Sequence, residues 1–279
     1  MFTDEDQATG GRERGRGERP GTALITGASS GIGLDLARLF ARDRFDVVLV
    51  ARGEAVLRRV GDDLSHGHGI RVHVLSADLS EPGAPEAIAR SLQERSIRVD
   101  VLINNAGSGT HGPFAAVDLE RQLRMLRLNV LALTHLTGLV LPGMVARRRG
   151  RILNVASTAA FQPGPLMAVY YASKAYVLHF TEALGEELRG SGVSVTALCP
   201  GPTATGFQKA AAMEGARLVR GGATMDSPTV ARAGYEGLMR GRALVIPGAR
   251  NRGLALAVRL MPRALVTRLV RRLNERART

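Results

Sequence analysis

The sequence predicts an α/β protein built on a doubly wound, parallel sheet of the Rossmann kind, in one domain with a helical extension after it. Three observations carry that prediction. Short β-branched runs alternate with helical patterns from Gly21 onward, the runs are almost continuously apolar, and a glycine-rich turn closes the first of them. A strand covered on both faces has no solvent side, so unbroken apolar runs are what a parallel sheet between two helix layers requires.

The strands follow in order as TALITG (22–27), DVVLVAR (46–52), RVHVLSAD (71–78), DVLINNAG (100–107), RILNVAS (151–157) and VSVTALCPG (193–201). A shorter run, ALVIP (243–247), closes one edge. Helical patterns fill the gaps, among them 32–41, 119–146 and 168–190. Alternation of this kind brings right-handed crossovers, and it puts ligands beyond the carboxyl ends of the strands. There is no internal repeat and no linker long enough to divide residues 21–248, which form the expected catalytic domain.

At 279 residues the chain can bury one large core. Residues 1–20 are polar, glycine-rich and mixed in charge, without the apolar segment of a secretory signal, and are expected to be a disordered tail. No uninterrupted apolar run reaches the length needed to cross a bilayer. The single cysteine, Cys199, rules out an intrachain disulfide, lies in an apolar run as an inert core thiol, and fits a reducing, cytoplasmic setting. The net charge is +13, but 11 arginines against one acid from Arg240 onward account for about +10 of it. That basic end lacks interleaved aromatics for base stacking, so nucleic acid is not an expected partner.

Two stretches carry chemistry. TGASSGIG, Thr26 to Gly33, is a strand-to-helix turn whose backbone amides can approach a pyrophosphate at a helix N-terminus. VYYASKAYV (169–177) holds one of only two lysines in the chain, Lys174, just after two tyrosines. A free tyrosine has a pKa of about 10, too high for acid–base work near neutrality, and a nearby ammonium would bring it down. Helical spacing alone lets Lys174 neighbour Tyr170 or Tyr171.

In these stretches the chain resembles the short-chain dehydrogenases/reductases, over about residues 21–248. TGASSGIG is similar to that family's cofactor loop, NNAG (104–107) to its fourth-strand motif, YYASK to its Tyr-x-x-x-Lys and PGPTAT (200–205) to the segment that holds the nicotinamide. The resemblance selects Tyr170 over Tyr171, which is left as a packed or interface aromatic. It implies a catalytic set of Asn129, Ser157, Tyr170 and Lys174, with Ser157 and Tyr170 on the substrate. Ser157 would otherwise read as a helix N-cap. Asn129, a poor residue inside a helix, would offer its backbone carbonyl to a water that links Lys174 to solvent.

The implied cofactor contacts are Gly27, Ser29, Ser30, Gly31, Ile32 and Gly33 in the first turn. Asp78 after the third strand would cap the adenine ring and Asn105 after the fourth would contact the adenine ribose, with Leu79, Ala106 and Gly107 as further cofactor contacts. Tyr170, Lys174, Pro200, Gly201, Thr203 and Thr205 would face the nicotinamide ribose and ring. After the second strand stand Ala51 and Arg52, with no acid before Glu54. An acid there favours NAD and an arginine NADP, so NADP is expected and NAD less so. The implied activity is hydride transfer between the nicotinamide and a carbonyl/secondary alcohol pair. The alternative is a non-catalytic NADP-binding regulatory or membrane-surface protein on the same fold.

The histidines show no metal-ligand spacing: His66 and His68 are expected in a loop and His73 in a strand, and no metal site is expected. Residues 205–227 are expected to cover the pocket, where Phe207 and Met213 suggest an apolar ligand. Family members pair through helices such as 119–146 and 168–190, which implies a homo-oligomer. Residues 249–279 form a basic amphipathic extension broken at Pro262, with Leu265, Val266, Leu269, Val270 and Leu273 on one face and Arg268, Arg271, Arg272 and Arg276 on the other. Such a helix either docks on the domain or a subunit partner, or lies on a membrane surface.

Overall fold

The computed structural model describes residues 20–211, 213, 216 and 224–275. The expected N-terminal tail, Arg276 and most of 212–223 lie outside the described residues. Seven strands form one sheet: β1 (Thr22–Thr26), β2 (Asp46–Ala51), β3 (Val72–Ser76), β4 (Val101–Asn104), β5 (Gly150–Val155), β6 (Val193–Leu198) and β9 (Leu244–Val245). Their order is β3-β2-β1-β4-β5-β6-β9, and every pairing is parallel. Two further short strands, β7 (Thr203–Ala204) and β8 (Met225–Asp226), pair with each other, and the short α7 (Phe207–Ala210) follows the first of them.

The unbroken apolar runs are explained by the pleat. In β1, Ala23 and Ile25 enter one core, with Leu36 and Phe40 of α1 (Gly31–Arg42), Leu57 of α2 (Glu54–His68) and Leu238 of α8 (Ser227–Met239). Leu24 points the other way, into a core with Ile88 of α3 (Ala84–Glu94), Leu136 of α5 (Leu133–Ala146) and Leu184 of α6 (Ala168–Glu187). Successive side chains face opposite layers, so both must be apolar.

Several expected strands end early. β4 stops at Asn104 rather than Gly107, and β6 at Leu198 rather than Gly201, because the residues that follow leave the ladder to line a cleft. His66 and His68 lie in the last turn of α2, not in a loop; Gly69, at φ +61, ends that helix.

The 119–146 segment is one continuous helical stretch with a π-turn (Arg127–Ala132) between α4 (Leu119–Leu126) and α5. By length and composition it could span a bilayer, its most apolar window of 18 residues having a mean hydropathy of 1.6, although polar and charged residues interrupt its apolar runs, as the sequence implies. Its Asn129, Leu136, Thr137 and Met144 are nonetheless buried in the domain. The chain ends in α9 (Ala249–Leu260) and α10 (Arg263–Asn274), separated at Pro262 as expected, and both border the cleft.

Candidate active site

The loops after β1 to β6 converge on a cleft of about 1090 Å³. Its cofactor end is made largely of backbone. Gly27 and Gly31 sit at φ +66 and +54, where a side chain is strained. The N-terminus of α1 that they lead into carries no acid in its first turn, and Ser30 makes no side-chain cap, which leaves the positive end of the helix free for an anion. Asn105 stitches this turn to the loop after β4. Its Nδ2 donates to the Thr26 carbonyl at 2.9 Å, while Thr26 Oγ1 accepts from the Asn105 and Ala106 amides at 3.0 Å.

Of the expected cofactor residues, Gly33 alone stands behind the cleft rather than on it. A Cβ there would meet the Gly27 carbonyl oxygen at 2.3 Å, so this glycine is needed to let helix and strand approach. Arg52 is 80% exposed, its guanidinium 4.0 Å from Asp78. Burial tends to raise the pKa of Asp78, but hydrogen bonds from Ser80 and the charges of Arg52 and Arg124 outweigh it and hold the carboxylate below its usual value. Two guanidinium groups therefore stand around this end of the cleft, Arg124 unannounced by any motif.

At the other end, Tyr170 and Lys174 lie one turn apart on α6. Ser157 follows β5, where its Oγ accepts from the Ala159 amide at 3.1 Å and caps a short 3₁₀ turn while also lining the cleft. The N-cap reading of this serine is met, and the cap leaves the residue on the cleft wall. Lys174 is buried, donates from Nζ to the Val155 carbonyl at 2.8 Å, and lies 6.0 Å from the centre of the Tyr170 ring. Burial lowers its pKa to about 8.

The Tyr170 phenol behaves otherwise than expected. Its pKa is raised by burial, only partly opposed by a hydrogen bond with Ser157, and Lys174 does not draw it down in this arrangement. Burial likewise pushes the Cys199 thiol up to about 12, leaving it inert. Asn129 does not line the cleft. Its π-turn carries the side chain to Ser108, whose amide it accepts and whose carbonyl it donates to at 2.9 Å, and to Ser173 Oγ at 3.1 Å. That bracing sits directly behind Gly107, where a Cβ would lie 3.3 Å from Asn129 Oδ1 and 3.4 Å from Lys174 Nζ.

The arrangement can hold an extended anionic dinucleotide along backbone amides and present a phenol, a hydroxyl and a buried amine to a second molecule beside it. The family model for short chain dehydrogenases matches residues 21–215. The chain belongs to that family. This short chain dehydrogenase is 36% identical over 180 residues to the ketoacyl reductase HetN of Nostoc sp., covering 64% of this chain and 62% of that protein. It is 38% identical over 177 residues to a very-long-chain 3-oxoacyl-CoA reductase of Laccaria bicolor, covering 62% of this chain and 52% of that protein. The chain thus aligns with little more than half the length of these relatives. Among solved structures, a short-chain dehydrogenase from Sphingobium yanoikuyae in complex with NADPH superposes with a TM-score of 0.78 at 36% identity, covering 85% of this chain and 92% of that one.

The matched region stops short of α9 and α10, and there the sequence reading needs its main correction. The five apolar residues expected on one face of α10 divide. Val266 and Val270 are buried with Asn274, whereas Leu265, Leu269 and Leu273 remain 52%, 47% and 39% exposed. The helix docks on a narrow seam at i, i+4 and i+8, where Val266 and Val270 pack with Met167, Tyr171 and Ala211 and Asn274 follows them. Tyr171 is buried there, with its hydroxyl donating to Asn274 Oδ1 at 3.3 Å. Motifs gave no hint of Asn274; an amide interrupting an apolar stripe was the available signal. His111 and Met167 were missed for want of any pattern.

Proposed function

We propose that the protein is an NADPH-dependent reductase that moves a hydride between nicotinamide and the carbonyl/secondary alcohol pair of an apolar substrate, with NADP preferred over NAD. One observation carries this reading: Tyr170, Ser157 and Lys174 gather at one end of a cleft whose other end is a glycine cradle at a free helix N-terminus. Between them the walls are apolar, from Met167, Phe207, Met213 and Val270 among others. When bound, the dinucleotide supplies the hydride.

The residues present fit such a group. The loops carrying Ser29, Gly31 and Ile32 offer amides to the pyrophosphate, Asp78, Leu79, Asn105 and Ala106 hold the adenosine, and Arg52, aided by Arg124, meets the extra phosphate. Gly107, Gly201, Thr203 and Thr205 border the nicotinamide end. Ser157 donates to the substrate oxygen and polarises the carbonyl. Tyr170 gives that oxygen its proton; a raised pKa keeps the phenol protonated across neutral pH, as an acid requires. Lys174, with a pKa near 8, holds the next proton, and the Asn129 carbonyl leads it inward from solvent.

We assign the catalytic domain to 21–248 and treat 249–279 as an extension that completes the substrate end. Exposed Leu123, Leu131 and Leu139 on α4–α5 and Tyr176 on α6 support pairing of subunits into a homodimer or homotetramer. The outer face of α9–α10 combines Leu256, Leu260 and Leu265 with a run of arginines from Arg250 to Arg272, which suits peripheral contact with an anionic membrane from the cytoplasmic side. NADPH oxidation screened against bulky ketones, aldehydes, quinones, steroids and 3-ketoacyl thioesters tests the reading. Turnover that Ser157→Ala abolishes supports it, and tight NADPH binding with no turnover on any of them favours the regulatory alternative.

A further inference from the structure

Helix α10 is held at its end by one residue. Asn274 is completely buried, and each of its polar groups is engaged by a different part of the substrate end. Its Nδ2 donates to the Pro165 carbonyl at 2.9 Å, its Oδ1 accepts from the Tyr171 hydroxyl at 3.3 Å, and its backbone carbonyl accepts from His111 Nε2 at 2.7 Å. These partners belong to the turn before α6, to α6 itself and to the loop after β4. One and two turns earlier, Val270 and Val266 pack into the cluster of Met167, Tyr171, Ala211 and Met213.

The turn that Asn274 grips is under strain. Leu166 sits at φ +68, in the left-handed region that crowds the Cβ of a non-glycine residue. Gly164 beside it has no room for a side chain, since a Cβ would fall 2.1 Å from the Tyr171 ring. The turn keeps this shape through the Gly112 amide on the Leu166 carbonyl at 2.8 Å and through Asn274 on Pro165.

We propose that α10 is a latched roof that sets the substrate class: Val266 and Val270 form an apolar ceiling for an extended aliphatic chain, and Asn274 is the positioning residue that holds the ceiling down through Tyr171, Pro165 and His111. The roof lies outside the region shared with the family model, and the partners of Asn274, namely Tyr171, Pro165 and His111, are not among the residues assigned to the cofactor. Short carbonyl compounds need only Tyr170 and Ser157. Long ones need the ceiling as well, because the apolar area it covers is what distinguishes them from water-soluble ketones. This rests on the carbonyl-reductase reading, and the test separates the two.

Asn274→Ala, Tyr171→Phe and Val270→Ala are compared with the unaltered protein in three measurements. These are NADPH affinity by fluorescence, KM and kcat for butanone and for a long-chain methyl ketone, and the rate of tryptic cleavage after Arg263, Arg268 and Arg271 identified by mass. Asn274→Ala strands two buried partners, so cleavage within α10 should quicken and KM for the long-chain ketone should rise, each by about tenfold. KM for butanone should move far less, and NADPH affinity should stay as it was. Tyr171→Phe, losing one bond of the latch, should show the same pattern more weakly. Val270→Ala should raise KM for the long ketone without quickening cleavage, because it thins the ceiling and leaves the latch. Unchanged cleavage in Asn274→Ala overturns the latch, and equal rises in KM for both ketones overturn the ceiling. Should the unaltered protein reduce no carbonyl at all, the reductase reading falls, and the cleavage rates still decide whether Asn274 holds α10.

Discussion

The two ends of the cleft meet different demands with different materials. At the cofactor end, backbone amides and glycines do the shaping, on short loops that leave adjacent strands of one sheet. Asn105 and Thr26 lock those loops together through main-chain partners. At the substrate end, side chains do the shaping, and they come from segments as distant as Met167, Phe207 and Val270. The first end must fit a group of fixed shape and charge, so few residue types serve. The second need only be apolar and closed, a demand that many sequences satisfy.

Predictions follow from that contrast. Tyr170→Phe removes the shared chemistry of both ends, so turnover should fall by roughly 100-fold or more while NADPH affinity and fold persist, as steady-state rates and fluorescence titration would show. Activity that survives Tyr170→Phe would break the assignment of the acid to this residue. Next in size is Arg52→Ala, which concerns only the cofactor end. Loss of a charge-assisted contact worth about 1.5–3 kcal/mol should weaken NADPH binding by about 10- to 100-fold and leave NADH nearly untouched. Equal losses for both dinucleotides would show that Arg52 does not read the phosphate.

The pH profile sharpens the comparison further. Lys174 loses its proton as pH rises through about 8, so the reductive kcat should decline above that value. Lys174→Arg keeps the charge at every accessible pH and should remove that limb while weakening cofactor binding. A limb that persists in this variant would belong to another group. The smallest effect is expected outside the cleft altogether. Leu260→Ser combined with Leu265→Ser should reduce binding to anionic vesicles in a flotation assay, with turnover of a water-soluble ketone barely altered. Undiminished flotation would place any membrane contact elsewhere.

The same contrast explains what could be read from the sequence. The sheet was legible because burial on both faces favours apolar residues along β1, β2, β4 and β6, where buried polar side chains such as Asp46, Asn104 and Thr196 are the minority. The cofactor loop was legible because the turns at Gly27 and Gly31 leave little choice, whereas spacing alone left Lys174 open to Tyr170 or Tyr171 and the family resemblance chose between them. Gly33 was placed on the wrong side of that turn, since a glycine for ligand approach and one for helix–strand approach look alike in a motif. The rise in the Tyr170 pKa was also hidden: it depends on how deeply the ring is buried, which spacing does not encode. Asn274 and His111 were invisible because they act through partners more than a hundred residues distant. The apolar face of α10 was found, but the seam on which it docks was not, because hydrophobic periodicity does not reveal which half of a wide face meets the protein.

The central claim is that hydride passes within this cleft to a carbonyl carbon. The most direct measurement is the fate of deuterium from NADPH carrying the label at the transferable position, with a bulky apolar ketone as acceptor and the product alcohol examined by mass spectrometry and NMR. The account predicts one deuterium at the carbinol carbon, with the rate of its appearance collapsing in Tyr170→Phe. Label retained wholly in the bound dinucleotide across the whole carbonyl panel would contradict it.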